Sequence, residues 1–176
     1  MKRIWIVFLV AGAAILAVSA YQYLTRPGRG DLVPAFNLPA VDGQTISSDQ
    51  FQGAPLLVHF WASWCGPCRQ EFASLSRLYR DFKDDGFLII AISEDGKEGD
   101  EAVRSFLKLH PVSFPVLLDR QGRVADAFRS WGVPESILVD RQGVIAWRGA
   151  GARDWDSHQA RDMVRELVNR NIPADK

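Results

Sequence analysis

The chain has 176 residues, 47% of them hydrophobic, which suffices for one globular domain and argues against two independent ones. Its 21 basic and 21 acidic side chains cancel. The chain therefore lacks the excess positive charge that attracts the phosphate backbone of nucleic acids, and nucleic acid is not an expected partner. The two cysteines, Cys65 and Cys68, are three residues apart. They cannot staple a distant loop, so any disulfide between them is local and of functional type.

Residues 1–25 are expected to form a transmembrane anchor. After Lys2 and Arg3 come 21 uncharged residues, Ile4 to Leu24, which as a helix can cross the roughly 30 Å hydrocarbon layer. The basic residues before this run favour an N-in, C-out orientation, which places the rest of the chain outside the cytoplasm. A cleaved signal peptide stays open as an alternative, because Val18-Ser19-Ala20 offers small residues at which such peptides are cut.

Residues 34–172 are expected to form the globular domain, behind a short flexible linker of residues 26–33 that is rich in proline and glycine. A hairpin opens the domain, and the periodicity of its apolar residues then indicates alternating strands and helices. The expected strands are 56–61, 88–92, 116–118, 137–139 and 144–147. The expected helices are 67–84, one with an apolar stripe over 102–107 that ends before Pro111, and one marked by apolar residues over 160–168. This order predicts a three-layer α/β sandwich, with a helix on each face of a mixed sheet.

The run Trp64-Cys65-Gly66-Pro67-Cys68 carries the predicted chemistry. Disulfide exchange needs a thiolate, yet a free thiol with a pKa of about 8.5 is mostly protonated at neutral pH. If a helix begins at this motif, its unpaired N–H groups and its dipole stabilise the Cys65 thiolate. Pro67 fits that first turn because it lacks only an N–H that the turn does not use. Cys65 is therefore the expected nucleophile, and Cys68, on the same helical face, the resolving thiol.

Two other interpretations of the cysteine pair have less support. A structural zinc site needs about four ligands, whereas this chain has no further cysteine and only three scattered histidines. Two ordinary buried cysteines would be unusual at a strand-to-helix junction flanked by Trp61 and Trp64. Neither a metal nor an organic cofactor is expected.

The stretch from Phe60 to Glu71, FWASWCGPCRQE, resembles the thioredoxin superfamily, and within it the membrane-anchored TlpA/ResA/CcmG (DsbE) group. The opening hairpin, an inserted stretch around Phe114–Asp119 and the predicted anchor also match that group. The resemblance covers roughly residues 33–170. It implies a thioredoxin fold with an N-terminal hairpin extension and a central insertion.

The resemblance also implies roles for residues outside the cysteine motif. Val133 and Pro134 correspond to the family's cis-proline loop, which faces the cysteines and presents backbone to the client, so Pro134 is expected to be cis. Glu71 matches a glutamate that tunes the cysteines, and Glu135 one that follows the proline in CcmG-like proteins. His59 departs from the family, since thioredoxin has a buried Asp there and the anchored group often an Asn. It either relays a proton or is a hydrogen-bonded core residue.

By the same resemblance, the protein is expected to be a protein-disulfide reductase of the inner membrane, with its domain on the periplasmic side. A membrane thiol donor of the DsbD/CcdA type would supply electrons, and client proteins such as apocytochrome c would receive them during cytochrome c maturation. Three alternatives remain. One is a disulfide-forming oxidase with the same motif at a more oxidising potential, although Gly66-Pro67 favours reduction. The others are a peroxiredoxin, whose opening resembles Pro34–Leu38, and a Sco-type copper module using His110 or His158, whose cysteine spacing differs.

Overall fold

The structure is a computed structural model that describes residues 2–170. Its first helix, α1, comprises Lys2–Leu24. Several large apolar side chains of α1 are exposed: Trp5, Phe8, Ile15, Leu16 and Tyr21. Within the described part of the chain, no helix combines the length and the apolar character needed to cross a membrane.

The domain is built on a five-stranded mixed sheet, as predicted. Its strands are β3 (Leu56–Trp61), β4 (Leu88–Ser93), β5 (Val116–Leu118), β6 (Glu135–Val139) and β7 (Ile145–Ala150), in the order β5-β4-β3-β6-β7. The three strands β3, β4 and β5 are parallel, whereas β6 is antiparallel to both β3 and β7. The predicted hairpin is present as the antiparallel pair β1 (Asn37–Pro39) and β2 (Thr45–Ser47). The helices of the domain are α2 (Gly66–Phe82), α3 (Asp100–Leu109), α4 (Arg123–Phe128) and α5 (His158–Asn169).

The sheet separates two hydrophobic cores. Side chains from α2, α3 and α5 fill one core, and side chains from α4 and the hairpin fill the other. Because successive residues of a strand point to opposite faces, the central strand β3 contributes Leu57 and Trp61 to the first core and Val58 and Phe60 to the second. His59 lies on the first face, where its ring meets Phe72 of α2 edge-on. The central strand therefore places His59 directly against the helix that carries the cysteines.

Helix α4 is absent from the sequence-based prediction. It has only six residues, too few to form on local propensity alone. Its first turn is instead held by the buried Asp119, whose Oδ2 accepts hydrogen bonds from the backbone N–H groups of Val124 (2.9 Å) and Ala125 (2.8 Å). Because Asp119 follows the last residue of β5, the folded sheet supplies the cap that this helix needs.

The segment of residues 26–33, which the sequence predicts to be a flexible linker, makes backbone hydrogen bonds with the start of β7 and the turn before it. Gly30 donates to Ile145 (2.9 Å), Ile145 donates to Asp31 (2.8 Å), and Val33 donates to Gly143 (3.0 Å). Gly30 has a φ of +95°, so it serves a fixed turn that needs glycine. The segment thus extends the sheet edge and belongs structurally to the domain.

Candidate active site

The two cysteines are joined by a disulfide at the N-terminus of α2, with their Cα atoms 5.3 Å apart. Cys65 is the N-cap of the helix, and Gly66 and Pro67 begin its first turn, as predicted. The backbone N–H of Cys68 donates to Cys65 Sγ at 3.3 Å, so an otherwise unpaired N–H group of the helix end points at this sulfur. Cys68 is fully buried, whereas Cys65 retains 6% of its surface. Only Cys65 is therefore open to an incoming sulfur, which fits its assignment as the nucleophile.

The turn before the cysteines is held by Asp95. Its carboxylate accepts hydrogen bonds from the Ser63 backbone N–H (2.9 Å) and the Ser93 hydroxyl (2.7 Å), and the Ser63 hydroxyl donates to it as well. Ser93 ends β4, so the carboxylate joins the neighbouring strand to the turn that leads into Trp64. This network fixes the approach of the chain to Cys65, and sequence reasoning missed Asp95.

The loop that faces Cys65 carries the second predicted element of the site. The Val133–Pro134 peptide bond is cis, as the resemblance implies. The Val133 carbonyl oxygen lies 3.8 Å from Cys65 Sγ. Trp64, the residue before Cys65, and Trp131, two residues before Val133, are largely exposed, at 71% and 63%. Two large exposed aromatic side chains are thus close in sequence to the two sides of this contact, and such side chains are common in surfaces that bind other proteins.

A buried histidine–glutamate pair lies behind the cysteines. His59 Nε2 and Glu71 Oε2 are 3.8 Å apart, and neither atom has a hydrogen-bond partner among the described residues. Burial lowers the pKa of His59 to about 3 and raises the pKa of Glu71 to about 7. The imidazole is therefore neutral at physiological pH, while the carboxyl titrates there. Glu71 follows Cys68 by one helical turn and both are buried, so this group shares a helix face with the resolving thiol.

Each member of the pair is anchored by its other polar atom. His59 Nδ1 is 2.9 Å from the hydroxyl of Ser136, its partner in the β3–β6 register. Glu71 Oε1 accepts from the backbone N–H of Arg153 (2.7 Å) and from Trp155 Nε1 (3.3 Å), in the segment before α5. His59 is thus a hydrogen-bonded core residue, which was one of its two expected roles. The proton relay and the tuning by Glu71 stay predictions.

Removing the Ser136 hydroxyl is expected to lower stability, because it takes away the partner of a buried ring nitrogen. We expect Ser136→Ala to lower the free energy of unfolding by about 1–2 kcal/mol, measured by urea denaturation at pH 7. The matched control is Ser105→Ala on the exposed surface of α3, which should change it by less than about 0.5 kcal/mol. Equal effects of the two substitutions would contradict the role given to this hydrogen bond.

Glu135 was predicted to act in tuning or client binding, and the structure places it in the interior. Its side chain is 1% exposed, and Arg148 holds it through Nε to Oε1 (2.8 Å) and Nη2 to Oε2 (3.0 Å). Arg26 pairs with the same carboxylate. Burial by itself would raise the pKa of Glu135, but hydrogen bonds from Arg148 and Arg26 keep it below its usual range. The carboxylate therefore cannot contact a client directly in this structure. It acts on the loop through the two arginines and through a hydrogen bond that it accepts from the backbone N–H of Trp131 at 3.4 Å.

Sequence reasoning also missed both of these arginines and Trp155. Arg148 carried a usable signal, since it is a charged residue within a strand that borders the core. Arg26 and Trp155 carried none, because their partners are 109 and 84 residues away along the chain. Their roles depend on contacts that only the folded chain creates.

A cysteine pair at the N-terminus of a helix, facing a loop that contains a cis-proline, is characteristic of thiol-disulfide oxidoreductases with a thioredoxin fold. Residues 29–148 match the AhpC/TSA family, and the chain belongs to that family. It is 29% identical to the thiol-disulfide oxidoreductase ResA of Bacillus thuringiensis subsp. konkukian, over 97% of this chain and 95% of that protein. It is 31% identical to ResA of Oceanobacillus iheyensis, over 80% and 74% of the two chains.

Solved structures agree with this assignment. A putative thiol:disulfide interchange protein DsbE from Chlorobium tepidum superposes with a TM-score of 0.75 at 31% identity, over 81% of this chain and 99% of the other. The predicted thioredoxin fold and the predicted resemblance to the ResA and DsbE proteins are thus confirmed. The protein is a thiol-disulfide oxidoreductase that works through Cys65 and Cys68.

Proposed function

We propose that the protein is an extracytoplasmic reductase of client protein disulfides. In the reduced form, the Cys65 thiolate attacks one sulfur of a client disulfide; a Cys65–client disulfide forms and the client's other sulfur leaves as a thiolate, which takes up a proton. Cys68 then attacks Cys65 Sγ and forms the Cys65–Cys68 disulfide, which releases the second client thiol. Two electrons pass from the protein to the client. A membrane dithiol donor of the DsbD/CcdA type would reduce the active site again.

The observation that carries this proposal is the unequal access to the two sulfurs. Cys65, which retains 6% of its surface, lies opposite the Val133 carbonyl and directly follows the exposed Trp64, while Cys68 is fully buried. A polypeptide can therefore reach the attacking sulfur and lie against the loop, but it cannot reach the resolving sulfur. Apocytochrome c, as in cytochrome c maturation, is the client class that we propose from the sequence resemblance.

The reduction potential tests the direction of electron flow. Equilibration of the full chain with glutathione redox buffers should give a value near thioredoxin's, about −270 mV, because the Gly66-Pro67 pair favours reduction. A value near about −120 mV would instead identify a disulfide-forming oxidase. Turnover of hydrogen peroxide by the reduced protein would point to the peroxiredoxin alternative and contradict the proposal.

We further propose that α1 anchors the protein in the inner membrane, with the domain on the periplasmic side. Support comes from the 21-residue uncharged run behind two basic residues, and from the apolar side chains that α1 leaves exposed. The protein should remain with membranes after alkaline carbonate extraction, and a chain lacking residues 1–25 should not. A mature protein that begins after Ala20 by mass spectrometry would show a cleaved signal peptide and contradict the anchor.

A further inference from the structure

We propose that Arg26 is a positioning residue for the client-binding face of the enzyme. Its guanidinium supports Trp131 and pairs with Glu135, residues on either side of Pro134, and so couples the segment that follows α1 to the loop opposite Cys65. The inference rests on the proposed function in one respect, namely that the substrate is a polypeptide that lies against this loop.

Three contacts of the Arg26 side chain converge on the loop. The guanidinium carbon lies 3.9 Å from the centroid of the Trp131 ring, which is stacking distance. Nη2 pairs with the buried Glu135 carboxylate, and Nε donates to the Arg129 carbonyl oxygen at 3.0 Å. Only 14% of the side chain is exposed. Residues 129, 131 and 135 are thus held by one side chain from a segment more than 100 residues away in sequence.

A second arginine completes the clamp from the other side. Arg148 donates through Nη1 to the carbonyl oxygens of Pro27 and Phe128, both at 2.8 Å, so it binds the segment and the loop at once. Arg129 has a φ of +48°, a left-handed conformation that non-glycine residues rarely adopt. In that conformation its carbonyl oxygen accepts from both Arg26 and Arg148. The Arg129 guanidinium in turn lies 5.6 Å from the ring centroid of Tyr21, so the contact extends to α1.

These contacts matter for binding because Trp131 is the exposed part of the loop. A guanidinium over the indole limits the rotamers of the ring, and the 63% of Trp131 that is exposed is available to a client. When the indole ring is ordered before binding, the client does not have to supply the free energy of ordering it. The affinity for the client is therefore higher without any new contact. Lysine could replace the charge beside Glu135, but it could not replace the planar stack on Trp131.

The test uses the full chain in detergent, fully reduced, in single-turnover oxidation by two substrates. One is a synthetic peptide with an oxidised Cys-x-x-Cys-His segment, and the other is hydroxyethyl disulfide, which has no polypeptide to lie against the loop. We expect Arg26→Ala to raise the apparent dissociation constant for the peptide about five- to tenfold, the effect of losing one anchor residue of an interface. The limiting rate, and the rate with hydroxyethyl disulfide, should change less than about twofold.

Two further variants separate positioning from stability. Arg26→Lys should keep the melting temperature near that of the wild type, because Glu135 remains paired. Its affinity for the peptide should nevertheless be reduced almost as much as that of Arg26→Ala. The control Arg29→Ala removes an exposed arginine of the same segment and should match the wild type on both substrates.

A double-mutant cycle with Trp131→Ala decides the mechanism. If Arg26 acts through Trp131, then Arg26→Ala should have almost no further effect on peptide affinity once the indole is gone. Full additivity of the two substitutions would overturn the inference, as would equal losses with both substrates in Arg26→Ala. A wild-type protein that exchanges with hydroxyethyl disulfide but with no peptide would instead overturn the proposed function, and the inference with it.

Discussion

Replacing Cys65 with serine is expected to abolish disulfide exchange. The serine hydroxyl has about the same volume but does not ionise at physiological pH, so it cannot replace a thiolate at the position where, in the disulfide form, Cys65 Sγ accepts the Cys68 N–H hydrogen bond. We expect the rate of reduction of a peptide disulfide to fall at least about a thousandfold, to the uncatalysed level, because the more accessible sulfur of the motif is lost. The measurement is the coupled reduction of an oxidised peptide, followed by mass spectrometry.

Replacing Cys68 with serine should have a different outcome. The Cys65 attack is still possible, but the sulfur that releases the client is absent, so mixed disulfides with clients should accumulate and survive non-reducing electrophoresis. Such a trap also reports the identity of the clients in cells. The matched control is the double variant with both cysteines replaced, which should trap nothing. Equal and substantial turnover by the two single variants would contradict the assignment of the nucleophile and the resolving thiol.

Replacing Glu71 with glutamine is expected to stabilise the protein at alkaline pH. Burial raises the pKa of Glu71 in the folded protein to about 7, from an ordinary value of 4.5. Between these values the folded state binds a proton that the unfolded state does not, so stability falls as the pH rises from 4.5 to 7. The difference corresponds to about 3 kcal/mol at pH 8. A glutamine keeps the acceptor for Arg153 and Trp155 and carries no charge, so the variant should lack this decline between pH 4.5 and 7.

The comparison of pH profiles makes this prediction specific. Wild type and Glu71→Gln should have similar free energies of unfolding near pH 5 and differ by up to about 3 kcal/mol near pH 8, measured by urea denaturation. The control Glu98→Gln, at an exposed loop position, should follow the wild type throughout. Burial lowers the pKa of His59 to about 3, from 6.5, so the contribution of His59 to the stability of both proteins decreases as the pH falls below about 6.5. In the wild type this contribution opposes that of Glu71 between pH 4.5 and 6.5, whereas in Glu71→Gln it is unopposed. A constant offset between the two proteins at all pH values would contradict the ionisation argument.

Local patterns were sufficient where the physics is local. The strand Leu56–Trp61 was predicted with the bounds that the structure gives it, because a six-residue apolar run next to a helix start has few other interpretations. The start of α2 followed from Cys65, Gly66 and Pro67, since capping and the lack of a proline N–H act within one turn. Helix α4 was missed because its cap, Asp119, comes from the end of a neighbouring strand.

The segment of residues 26–33 also shows that local sequence patterns do not predict long-range contacts. Proline and glycine in a short stretch indicated flexibility, and that inference is sound for a chain with no neighbours. Here Ile145, the first residue of the edge strand β7, offers an unpaired N–H and C=O, and Asp31 and Gly30 satisfy them. The composition of a segment cannot reveal which sheet edge lies beside it.

The amino-acid sequence by itself determined the reaction of this protein, because the C-x-x-C spacing, the proline within it and the helix that follows are contiguous along the chain. It also indicated that Pro134 would face the cysteines, through a resemblance of motif. Only the tertiary structure determined which residues surround the cysteines. It paired His59 with Glu71, enclosed Glu135 between two arginines and brought Arg26 onto Trp131. Each of these contacts joins distant parts of the chain, and the energies of buried charges depend on neighbours that sequence distance does not encode.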